Sequence, residues 1–170
     1  DGGNLTVEDN VSSNVDERRM PVFRNTAAIG TETTVTYSVD VRPAYYQILS
    51  GDALTDIQGD IDISTIDQIA SLGISINGPA WDWVTWGATL AGTAANTMHD
   101  DGTTAGDVLA GDSIYTVQFT HAADATIGQE FKFGIGGGDN ESGYGLNHIE
   151  NIDITNASVA SYWGSINPNK

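Results

Sequence analysis

The sequence predicts an all-β chain: an immunoglobulin-like antiparallel β-sandwich with an extended N-terminal arm. Three observations carry that expectation. Short segments with period-two apolar alternation recur, clusters of Gly, Asn, Asp and Pro separate them, and sustained helical periodicity is absent. The 170 residues suit one core plus an appendage. The expected division is an arm over 1–30 and a sandwich over 31–170 with an insertion near 42–72.

The arm comes first and carries three of the four arginines, Arg18, Arg19 and Arg24. Its two isolated apolar stretches make Leu5, Val7, Met20, Val22 and Phe23 its contact residues. Such a segment can lie as an added strand on its own sheet edge or complete the sheet of a neighbouring subunit.

Residues 33–41 (TTVTYSVDV) then place Val35, Tyr37, Val39 and Val41 on one face, the pattern of a half-buried strand. Segments 43–51 and 67–72 are the two that read as short helices, and 61–69 alternates less cleanly as a strand. Strand 74–77 ends at the turn signal Asn77-Gly78-Pro79. Segments 114–120, 130–135 and 149–154 supply three more strands. The run Gly136-Gly137-Gly138 lacks a G-K-[ST] ending and reads as a flexible connection, not a phosphate loop.

Charge and composition narrow the function. Against 23 acidic residues stand six basic ones, a net charge of −17, which repels nucleic acid and anionic membrane surfaces. Close packing of copies then calls for divalent cations or the few arginines at the contacts. Without cysteine there is no disulfide, thiolate chemistry or cysteine zinc site. No apolar run reaches the ~18 residues of a membrane span. The opening at Asp1, with no basic segment followed by an apolar one, reads as a processed chain that is secreted or held at the cell surface.

Asp100, Asp101, Asp107 and Asp112 crowd one loop in which Gly102, Gly106 and Gly111 permit tight turns. Carboxylates in such a loop suit a hard cation, and calcium is the candidate ligand. The order departs from an EF-hand, and the competing reading is a solvated loop whose aspartates cap turns. Asp56, Asp60 and Asp62 around Gly59 form a weaker acidic group, as does Asp139-Asn140-Glu141. His99, His121 and His148 are dispersed with no H-x-x-x-H spacing or G-x-S-x-G elbow, so no enzyme is expected. His148 reads as a structural hydrogen-bonding residue beside a strand. Asn4, Asn10, Asn140 and Asn156 begin N-x-[ST] sequons.

Five segments in order, VTYSVD at 35–40, ISINGPAWDW at 74–83, AGDSIYTVQF at 110–119, EFKFGI at 130–135 and ENIDI at 150–154, follow a recognisable outline. Over about 33–155 the chain resembles the immunoglobulin-like starch- and glycogen-binding domains of bacterial secreted proteins. The resemblance implies glucan binding by Trp81, Trp83 and Trp86. On a continuous strand Trp81 and Trp83 share a face and Trp86 takes the other, so the three do not readily form one platform, and the competing expectation is that at least one fills the sandwich core while others cover an arm or interface. Two functional classes follow: a self-assembling subunit of an extracellular filament or sheath, whose partners are copies of itself, and a polysaccharide-binding module. The first accounts for the arm and is the preferred expectation; the second accounts for the tryptophan cluster.

Overall fold

The computed structural model describes residues 24–166. Among these, β1 (Thr33–Asp40), β4 (Ile114–His121) and β7 (Ser158–Tyr162) form a three-stranded sheet in the order β4-β1-β7. A second sheet has the order β3-β2-β5-β6, from β2 (Ile74–Asn77), β3 (Thr97–Met98), β5 (Gly128–Ile135) and β6 (His148–Asn151). β1 lies antiparallel to β4, with Thr33 opposite His121 and Asp40 opposite Ile114, but parallel to β7. The expectation of wholly antiparallel sheets is corrected there.

Alternation builds the core as expected. Val35, Tyr37 and Val39 of β1 turn inward and join Ile74 and Ile76 of β2 with Phe131, Phe133 and Ile135 of β5 in one buried cluster. From Phe131 to Ile135 every residue of β5 is buried, so this strand is covered on both faces.

Both expected helices form, as α1 (Arg42–Leu49) and α2 (Ile66–Leu72). Pro43 sits in the first turn of α1, where its missing N–H costs nothing. Thr65 and Gln68 form a capping box that starts α2, the Thr65 N–H donating to Gln68 Oε1 at 3.0 Å. This corrects the strand expected over 61–69: only Ile63 bridges, to Leu54, before the cap turns the chain into helix. A one-turn helix, α3 (Ala88–Ala91), was beyond reach of periodicity. The strand expected over 149–154 closes at Asn151, because Asp153 caps a turn through the N–H of Thr155 at 2.8 Å. No helix among the described residues is long and apolar enough to cross a membrane.

The root of the arm is tied to the body. Ile29 and Gly30 donate to the carbonyls of Ala125 and Ala123, and Ile127 and Gly128 donate back to Ala27 and Asn25, each at 2.8 Å. Arg24 reaches Gly128 O and Glu130 Oε2, each at 3.1 Å. Gly128 is required for this approach, since a Cβ there would stand 2.6 Å from Arg24 Cγ. The arm residues Leu5, Val7, Met20, Val22 and Phe23 lie outside the described residues.

Candidate functional site

The acidic loop joins β3 to β4, and its aspartates are held by the backbone they organise. Asp100 accepts the N–H groups of Gly111 (2.7 Å), Asp112 (3.2 Å) and Ser113 (3.1 Å), and Asp112 accepts that of Ile114 (2.9 Å). Buried Asp107 accepts from Gly102 and from Leu109. One carboxylate oxygen from each of Asp100, Asp107 and Asp112 lies within 4.8 Å of the other two, the one such group among the described residues. Asp101 does not join them. It caps the turn ahead of it, taking the N–H groups of Thr103 (2.8 Å) and Thr104 (2.7 Å).

The electrostatics follow the hydrogen bonds. Bonds from Thr104, then Thr103, hold the Asp101 carboxyl far below the usual carboxylate range, and the Gly102 N–H lowers that of Asp107 against its partial desolvation. Calcium–oxygen distances of about 2.3–2.6 Å place opposed ligands roughly 5 Å apart, and the three oxygens lie within that separation of one another. Each oxygen that accepts an N–H keeps a second lone pair for a cation.

The tryptophans separate. Trp81 closes a single 3-10 turn (Pro79–Trp81) and is 4% exposed, edge-on to Tyr37 at 5.3 Å and tilted on Phe119 at 4.8 Å. Its expected role against a sugar is corrected: it is a core residue. Asp82 and Trp83 follow in left-handed conformation (φ +58° and +45°), so the chain is not a strand and the shared face of Trp81 and Trp83 does not exist. Trp83, 40% exposed, and Trp86 line a cavity of about 480 Å³ with Gln58, Tyr144 and Asn147, and with Lys132 and Asp139 beneath them. Gln58, Tyr144 and Asn147 were not legible as site residues, because no spacing in the chain connects them.

The glycine run that follows β5 is closely packed against neighbouring backbone and side chains. A Cβ on Gly137 would meet Gly87 O at 2.3 Å, and one on Gly138 would meet Asp56 Oδ2 at 2.5 Å. The next three residues are buried and engaged with protein partners. Asp139 pairs with Lys132, and Asn140 accepts the Ile135 N–H at 2.9 Å. Glu141 accepts from Phe133 N (2.9 Å), Gly164 N (3.0 Å) and His148 Nε2 (2.7 Å). Side chains thus satisfy β5 where β6 no longer runs beside it, and His148 has the structural role expected. The Asn140 amide nitrogen donates to Ile61 O (3.1 Å) and Ile135 O (3.0 Å), which removes this sequon as a glycan acceptor in the folded chain; Asn156 is exposed. Asp56 and Asp62 likewise serve the backbone, Asp62 accepting the Asp56 N–H at 2.8 Å.

No protein-family profile, curated protein or solved structure matches this chain.

Proposed function

We propose that the chain is a non-catalytic structural subunit of an extracellular filament or sheath. In this reading it is an immunoglobulin-like sandwich that lends its N-terminal arm as a strand to the next copy and binds calcium at Asp100, Asp107 and Asp112. The hydrogen-bonded root of the arm is the observation that carries it: residues 24–30 are bonded to the body beside β5, so the described part of the arm already pairs as an added segment. Each sheet of one copy also ends in a strand with no strand beyond it among the described residues, such as β7, and a terminal strand is a template for pairing with another chain. Calcium would relieve the crowding of three carboxylates in a subunit of net charge −17. The direct test mixes a peptide of residues 1–23 with a body of residues 24–170. Saturable binding supports strand donation, and its absence at millimolar peptide contradicts it.

The aromatic cavity favours a second reading, a polysaccharide-binding module in which Trp83, Trp86 and Tyr144 offer faces to sugar rings. In that case Trp83→Ala abolishes retention on an insoluble glucan; equal retention excludes it.

A further inference from the structure

We propose that Lys132 and Asp139 condense into an intramolecular amide cross-link. Both side chains are 2% exposed, and the Lys132 ammonium contacts Asp139 Oδ1. Removing two charges from water is costly even when they are paired, and an amide carries neither. The partners are also immobilised. Lys132 Nζ donates to the carbonyls of Ser142 (3.1 Å) and Gly143 (3.2 Å). Asp139 is held through its backbone N–H on Asp56 (3.0 Å) and through Oδ2, which accepts from Gln58 Nε2 at 2.6 Å. Its Oδ1 takes no other hydrogen bond. Two reactants fixed in contact convert a bimolecular step into an intramolecular one.

The chemistry balances with no external reagent. One proton passes from Nζ to Oδ1, giving neutral amine and neutral acid. The amine lone pair attacks Cγ and the Nζ–Cγ bond forms, while the Gln58 N–H supports the charge developing on Oδ2. A second proton moves from nitrogen to Oδ1, the Cγ–Oδ1 bond breaks, and water departs into the adjoining cavity, which both residues line. The remaining N–H donates to Ser142 or Gly143. The product ties β5 to its glycine turn covalently in a chain without cysteine.

Intact mass of the purified, denatured chain tests this independently of assembly or sugar binding. The expected result is a mass one water below the sequence, with a branched proteolytic peptide joining residues 132 and 139. Asp139→Asn is expected to lose one ammonia instead, and Lys132→Arg to show its full sequence mass. A wild-type chain at full sequence mass, or a water loss that maps to any other residues, overturns the proposal.

Discussion

The Asp56 carboxylate accepts the backbone N–H of Asp139 at 3.0 Å, across a sequence separation of 83 residues. It also takes the N–H groups of Gln58 (2.9 Å), Gly59 (2.7 Å) and Ile61 (2.7 Å), so one side chain fastens the loop before α2 to the glycine turn after β5. The aromatic cavity sits at this junction.

Asp56→Ala strands these donors, and bonds to a charged acceptor contribute about 1.5–3 kcal/mol each. A loss of about 3 kcal/mol or more is expected in urea unfolding, and a smaller one for Asp56→Asn. Burial alone would raise this carboxyl's pKa, but its backbone donors together outweigh that and hold it below the ordinary value. The stability it supplies is therefore present above a pH of ~4 and lost as pH falls through the lower folded-state pKa.

His121 acts in the same direction in a higher pH window. Its ring is buried, shares a 2.8 Å hydrogen bond with the Tyr37 hydroxyl, and has its pKa lowered by burial from 6.5 to about 4. The unfolded chain binds that proton first, so stability falls as pH drops from 6.5 to about 4, by up to ~1.4 kcal/mol per pH unit. Urea unfolding at a series of pH values checks this, and His121→Gln should flatten that part of the profile.

Trp81 and Trp83 should behave as opposites. Trp81→Ala empties a core position and is expected to cost about 3–5 kcal/mol. Trp83→Ala should cost little. Trp83→Gly should be more stable than Trp83→Ala by roughly 1 kcal/mol, because the position is left-handed. Thermal unfolding of the three variants decides it.

These contrasts mark what sequence could reveal. β1 was legible because Val35, Tyr37 and Val39 alternate with polar residues over a half-buried surface. β7 was not, since only Val159 and Tyr162 in SVASY are large and the remaining signal comes from pairing with β1. Clustering of aspartates was readable from spacing, whereas the departure of Asp101 depends on which N–H each carboxylate captures. Gln58, Trp83 and Tyr144 meet because Asp56 and the glycine contacts fold distant loops together, and no local pattern encodes that.

Calcium should stabilise the native chain by mass action, about 2.7 kcal/mol at a hundredfold excess over Kd. A rise in Tm with calcium, absent in Asp112→Asn, is the expected outcome. Equal Tm in calcium and chelator would remove metal from the account.

Electron microscopy of the intact chain beside a form lacking residues 1–23 tests the central claim most directly, since the truncation spares the Arg24–Glu130 contact at the arm's root. Regular filaments from the intact chain and folded monomers from the truncated one are predicted. Filaments from the truncated chain, or monomers from both, would contradict assembly by strand donation.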